Sequence, residues 1–137
     1  MNLKRFQRLV ETARALKPPV HSSRCFHVTF IIRKGKVSTI GINNGNKTHP
    51  RNLQFNYTSP SGQDLRREVG IHSEISSIIR GGREDYSDST FVNIRIGENG
   101  RIMNSRPCLG CQSAMEQVGF KKFYYSVDGG GFTNYTS

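Results

Sequence analysis

The sequence has few of the features that mark membrane, secreted or multidomain proteins. Its 137 residues include three cysteines, and no apolar run approaches the roughly 20 residues that a membrane-spanning helix needs. Because two cysteines share one short motif and Cys25 stands alone, no disulfide framework is available. The chain also lacks internal repeats and linker-like segments. We therefore expect one domain over residues 1–137 and no membrane partner.

The N-terminal segment carries no apolar stretch of the kind that secretory signals contain. Unpaired cysteines are typical of reducing compartments. These two observations predict a cytoplasmic protein. The amphipathic, arginine-bearing N-terminus leaves organelle targeting open.

Acidic residues are scarce, with ten Asp and Glu against 20 Lys and Arg, a formal net charge of +10. Such an excess favours an anionic partner, most often a nucleic-acid backbone. A mononucleotide phosphate is also an anion, and basic solvated surfaces are common. The charge alone therefore leaves open whether the partner is a polymer.

The first half of the chain predicts a helix followed by a hairpin. Apolar residues at helical spacing mark residues 3–17, and Pro18-Pro19 ends this helix. Alternating β-formers predict strands over 25–32 and 37–42, joined by a tight turn. The long polar connection over 43–70 lies just before the motif described below, where it could wall a substrate pocket.

The second half alternates helices and strands. We predict a helix from His72 to Gly81, a strand over 91–96 and a helix over 109–118. A strand over 120–127 and a short return strand over 132–136 would form an antiparallel C-terminal hairpin. Together these elements predict an α/β fold with a central mixed sheet of about five strands, flanked by helices in three layers.

Two short motifs head two of these helices. His72-Ser73-Glu74 opens the second helix, and Pro107-Cys108-Leu109-Gly110-Cys111 opens the third. One histidine and two cysteines are a ligand set that leaves the fourth tetrahedral position of zinc open, as in catalytic sites. A glutamate two residues from the histidine can serve a bound water without binding the metal.

This H-x-E…P-C-x-x-C pattern resembles the zinc-dependent cytidine deaminase superfamily. The resemblance covers nearly the whole chain by the order of elements, but only the two motifs by residue. It implies that His72, Cys108 and Cys111 bind one zinc ion per chain. It also implies that zinc-activated hydroxide attacks C4 of cytosine, or C6 of adenine, while Glu74 moves the protons.

The resemblance suggests further residues for substrate binding. Asn43 matches a strand-end asparagine that contacts the nucleoside, although a turn role and the neighbouring Asn44 are alternatives. Ser73 replaces the alanine usual between the histidine and the glutamate. Ser105 and Arg106 precede the cysteine motif and would line the pocket, with Arg106 as a phosphate ligand.

The substrate is less constrained than the chemistry. The short C-terminal hairpin resembles the branch that includes free-cytidine, blasticidin and toxin-type deaminases. Free-cytidine enzymes read P-C-G-x-C-R-Q, however, whereas this chain continues Cys108-Leu109-Gly110-Cys111-Gln112. We therefore narrowly favour single-stranded DNA or RNA over a free pyrimidine nucleotide or nucleoside. Relatives often assemble, so a homo-oligomer is compatible with the resemblance.

A non-catalytic interpretation is also open. Cys108 and Cys111 could be half of a structural zinc site in a nucleic-acid-binding module, with His72 a surface residue. A structural site needs four ligands, and the other candidates, Cys25, His21, His27 and His49, are scattered along the sequence. This interpretation also gives Glu74 no role.

Overall fold

The structure is a computed structural model that describes residues 1–18, 26–43 and 72–135. Three helices and six strands follow one another along the chain. In order they are α1 (Leu3–Leu16), β1 (Phe26–Arg33), β2 (Lys36–Ile42), α2 (Ser73–Gly81), β3 (Thr90–Ile96), β4 (Ile102–Met103), α3 (Leu109–Val118), β5 (Lys122–Ser126) and β6 (Phe132–Asn134).

The strands form one open mixed sheet in the order β2-β1-β3-β5-β6. Neighbours pair antiparallel except β3 and β5, which are parallel. The α/β class, the N-terminal hairpin and the antiparallel β5–β6 pair confirm the sequence prediction. The short β4, which pairs with β3, was not predicted, because two residues are too few to show a period.

Helices cover both faces of the sheet. The alternation of side chains sends Phe30, Val92 and Ile94 to the face that α1 covers, through Phe6 and Val10. Ile31, Phe91 and Phe123 point to the other face, where they pack with side chains of α2 and α3 (Ile75, Ile78, Cys111, Ala114 and Met115). The core therefore lies in two layers, one on each side of the sheet.

A glycine sets the distance between α2 and the sheet. A Cβ atom on Gly41 of β2 would overlap the backbone of Ser73 and Ser77, so only glycine permits this approach. At its other end α2 stops at Gly82, which adopts the left-handed conformation with φ 68°. The close approach at Gly41 therefore holds the first turn of α2 against β1 and β2.

Tyr86 ties the two helices on this face together. Its hydroxyl donates to the carbonyl of Ile78 in α2, and its backbone N–H donates to Val118 at the end of α3. The ring is 1% exposed. These bonds help fix the positions of α2 and α3, whose N-termini carry the two motifs.

Candidate metal centre and catalytic pocket

The N-termini of α2 and α3 bring the two motifs together. His72 is the N-cap of α2 and Cys108 is the N-cap of α3. The Cys108 Sγ accepts a hydrogen bond from the backbone N–H of Cys111 at 3.4 Å. The positive ends of both helices favour negative charge in the space between them.

The donor atoms of the three predicted ligands lie close together. His72 Nδ1 lies 3.5 Å from Cys108 Sγ and 3.2 Å from Cys111 Sγ, and all three atoms lie within 4.8 Å of one another. Standard zinc–sulfur and zinc–nitrogen bonds at a tetrahedral angle place nitrogen and sulfur about 3.6 Å apart. The triad is therefore compatible with a zinc site. Within the part of the chain that the structure describes, no other group of three or more metal-binding side chains occurs.

The two thiols differ in protonation. Hydrogen bonds with Cys111 and His72 together lower the pKa of Cys108 to about 4. The same bond and burial raise the pKa of the Cys111 thiol. The hydrogen bond to Cys108 also raises the pKa of His72. Cys108 is thus held as the thiolate, the form that binds metals.

Glu74 lies in the same site but is nearly shut off from solvent. Glu74 is 4% exposed, and burial raises the pKa of its carboxyl group. A carboxyl group whose pKa is raised towards neutrality is suited to accept and return protons.

A chain of buried polar groups holds the Glu74 carboxyl. Its Oε1 lies 2.8 Å from Ser73 Oγ, which lies 2.8 Å from Thr29 Oγ1 in β1. Thr29 Oγ1 in turn lies 2.5 Å from Asn93 Oδ1 in β3. Thr29 and Ser73 are fully buried and Asn93 is 1% exposed. We call these four side chains the Glu74 chain.

The Glu74 chain supplies a hydrogen-bond donor to the Glu74 carboxyl group. Asn93 donates its amide to the carbonyl of Ser105, so its Oδ1 faces Thr29 and can only accept. Ser73 Oγ donates to Glu74 Oε1. Burial raises the pKa of Glu74, whereas this hydrogen bond lowers it. The chain therefore orients the carboxyl group and stabilises the carboxylate form, which can accept a proton.

A cavity of about 170 Å³ opens onto these groups. Among the described residues it is lined by His27, Asn43, His72, Glu74, Ser105, Arg106 and Cys108. Pockets for drug-sized ligands start at about 300 Å³. A cavity of this size accommodates a single ring with a few polar groups.

The predicted substrate-binding residues differ in their exposure and in their hydrogen bonds within the protein. Arg106 is exposed at this cavity, as a phosphate ligand would need to be. Asn43 also lines it, but its Oδ1 accepts from the backbone N–H of His27 at 2.9 Å. Ser105 lines it too, yet its hydroxyl bonds to the backbone of Asn93 and Ser126. Ser73 is not among the lining residues, and its hydroxyl belongs to the Glu74 chain. Asn44 lies outside the described residues.

Sequence reasoning missed three residues of the site. His27 lines the cavity, and Thr29 and Asn93 belong to the Glu74 chain. The signal was Asn93, which stands between apolar residues at the centre of a strand, where asparagine is depleted. The asparagine alone did not reveal its partners, which lie on other elements.

A structural zinc site would need a fourth ligand. Of the other candidates, His27 is described and is not a member of the metal-binding cluster. Cys25, His21 and His49 lie outside the described residues. The described part of the site thus offers three possible metal ligands beside a cavity.

No protein-family model, curated protein or solved structure matches the chain. None of the helices in the described ranges is long and apolar enough to cross a membrane.

Proposed function

We propose that this chain is a zinc-dependent hydrolytic deaminase with a cytidine deaminase-like fold, converting cytosine to uracil and ammonia. The observation that carries the proposal is the convergence of His72, Cys108 and Cys111 beside a cavity that also contains the buried carboxyl of Glu74. The helix–hairpin–helix–strand order and the two motifs support the same family.

The ligand set suits the chemistry. His72, Cys108 and Cys111 would hold zinc, and a set of three protein ligands is typical of catalytic zinc sites. Zinc, when bound in such a site, supplies the Lewis acidity that makes water nucleophilic near neutral pH. Side chains of the protein would transfer the protons and orient the base.

Glu74 would carry the protons. It would accept one proton from the attacking water and deliver it to the ring nitrogen next to C4. It would then transfer the second proton of that water to the amino group, which leaves as ammonia. The Glu74 chain holds the carboxyl group through its Oε1 atom, and the residue also lines the cavity.

Cytosine is preferred because the superfamily acts mostly on this base, and adenine is the alternative. The small cavity would take the base while the sugar and phosphate stay outside, where Arg106 is exposed. This arrangement fits a base extracted from a polynucleotide as well as the base of a free nucleotide. The net charge of +10 favours single-stranded nucleic acid over a free pyrimidine nucleotide.

The test is deamination of a cytosine-containing single-stranded oligonucleotide, in parallel with dCMP and cytidine. Glu74→Gln should lower turnover by about 10²–10⁴-fold, the usual contribution of a general acid–base group. Glu11→Gln, an exposed change on α1, serves as the matched control. Turnover of dCMP or cytidine alone would favour the small-molecule alternative. Zinc binding without any turnover, on cytosine or adenine, would favour the non-catalytic module.

A further inference from the structure

Two adjoining cavities form a basic groove at the other end of the sheet. Their volumes are about 320 and 440 Å³, and they share Arg5 and Gly35. We define the basic groove by the cationic side chains that line the two cavities: Lys4, Arg5, Arg8, Lys34, Lys121 and Lys122.

The basic groove is well separated from the metal centre. Ile32 lines the groove and His27 lines the catalytic cavity, five residues apart on β1. An extended strand covers about 16 Å over this distance. Ile32 and Tyr124 also pack on the face covered by α1, whereas α2 and α3 cover the opposite face. The groove is therefore a distinct surface, not a rim of the catalytic cavity.

Little negative charge offsets these cations. Of the described residues, Asp88 is the one acidic residue that lines the groove. Its carboxylate already pairs with Arg33 at 2.8 Å and with Arg83 at 2.7 Å. Lys4, Arg8, Lys34, Lys121 and Lys122 are exposed. The groove thus presents a concentrated, accessible positive charge.

The backbone conformation at Lys34 favours a different residue type. It lies with Gly35 in the two-residue turn between β1 and β2, with φ 52° and 77°. Turns with two positive φ angles strongly prefer Asn-Gly. Lys34 is the only described residue other than glycine with a positive φ. A strained residue that carries a charge into a groove points to a binding role.

We infer that the basic groove binds the phosphodiester backbone of a nucleic acid at a second site, remote from the catalytic cavity. The repeated phosphates of a polynucleotide match a row of lysines and arginines along a concave surface. An anionic membrane is flat and would contact convex surfaces better. Among the apolar residues that line the groove, Leu9, Ile32 and Tyr124 are buried and Met1 is half-buried, so they offer little surface for insertion into lipid.

The choice of polymer rests on the proposed function. A second contact raises the effective concentration of a long substrate at the catalytic cavity without changing the chemistry. The groove should therefore lower KM for long oligonucleotides. It should leave turnover of a free nucleoside or of a very short oligonucleotide unchanged.

The experiment measures binding of a fluorescent single-stranded oligonucleotide by anisotropy at several salt concentrations. The groove variant combines Lys34→Asn, Lys121→Gln and Lys122→Gln. The control variant combines Lys17→Gln, Arg80→Gln and Arg101→Gln, three basic residues outside both cavities. Both variants lose three positive charges, so any difference between them reflects position rather than net charge.

The groove variant should show a salt slope smaller by about 2, because each single-strand phosphate contact contributes about 0.7. Between about 200 and 50 mM salt this difference amounts to about twentyfold in relative affinity. The control variant should retain most of the wild-type slope. Equal losses in the two variants would overturn the inference, as would groove-dependent binding of phosphatidylserine vesicles without oligonucleotide binding.

Lys34→Asn alone separates binding from folding. Asparagine suits the turn better than lysine, so thermal stability should be equal or higher while oligonucleotide affinity falls. Lower stability with unchanged affinity would contradict the role of Lys34. Since binding is measured without catalysis, absence of deamination would refute the proposed function and leave the groove result intact.

Discussion

Thr29→Val removes the central link of the Glu74 chain while keeping the shape of the side chain. Thr29 lies 2.8 Å from Ser73 Oγ and 2.5 Å from Asn93 Oδ1, and both partners are buried. The variant leaves Asn93 Oδ1 without a donor, which costs about 1–3 kcal/mol. Ser73 loses a partner too, so its hydroxyl can turn away from Glu74.

The expected result is a loss of both stability and catalysis. Chemical denaturation should show a free energy of unfolding lower by about 1–3 kcal/mol. With Glu74 less firmly oriented, kcat should fall by about tenfold to a hundredfold. KM should change little, because Thr29 does not line the cavity. Thr29→Ser, which keeps the hydroxyl, should restore most of the activity.

Ser89→Ala is the matched control. Ser89 is also fully buried and hydrogen-bonded, but its partners are Asp88 and Arg83, away from the metal centre. This variant should lose stability while keeping kcat. If Thr29→Val and Ser89→Ala lost stability to a similar degree and both kept wild-type kcat, the Glu74 chain would have no part in positioning Glu74.

Three further predictions follow from the site and its supports. Gly41→Ala should lower the melting temperature and the activity together in thermal and kinetic assays, because its methyl group would displace α2 through the backbone of Ser77. Glu74→Gln should stabilise the metal-free protein at neutral pH. Burial raises the pKa of Glu74 above its ordinary 4.5, so the folded wild type binds more protons than the unfolded chain and loses stability as pH rises through that window, by about 1.4 kcal/mol per pKa unit. Denaturation at several pH values should show an advantage of Glu74→Gln that grows with pH, and a constant difference would contradict the raised pKa. Cys108→Ser should lower bound zinc measured by elemental analysis, whereas Ser113→Ala, on the same helix, should keep it.

The sequence predicted local elements more completely than their assembly. The ends of α1 and α3 follow from Pro18 and Gly119, and the motif spacing predicted correctly that His72, Cys108 and Cys111 would meet. These features depend on short-range patterns, or on chemistry that repeats between proteins.

The Glu74 chain could not be predicted in this way. Thr29 and Asn93 lie on strands that are paired in register, 64 residues apart in the chain. Ser73 joins them only because Gly41 lets α2 approach the sheet. Strand register and close backbone packing are tertiary properties, and single-residue patterns do not carry them. The predicted connection over 43–70 falls outside the described residues except for Asn43.

The most direct measurement determines zinc content and cytosine deamination on one preparation of the wild-type protein. The proposal predicts one zinc per chain, and uracil in a single-stranded oligonucleotide at a rate that chelation abolishes and added zinc restores. One zinc per chain with no product from any cytosine or adenine substrate would contradict it, because the site would then bind zinc without catalysing deamination.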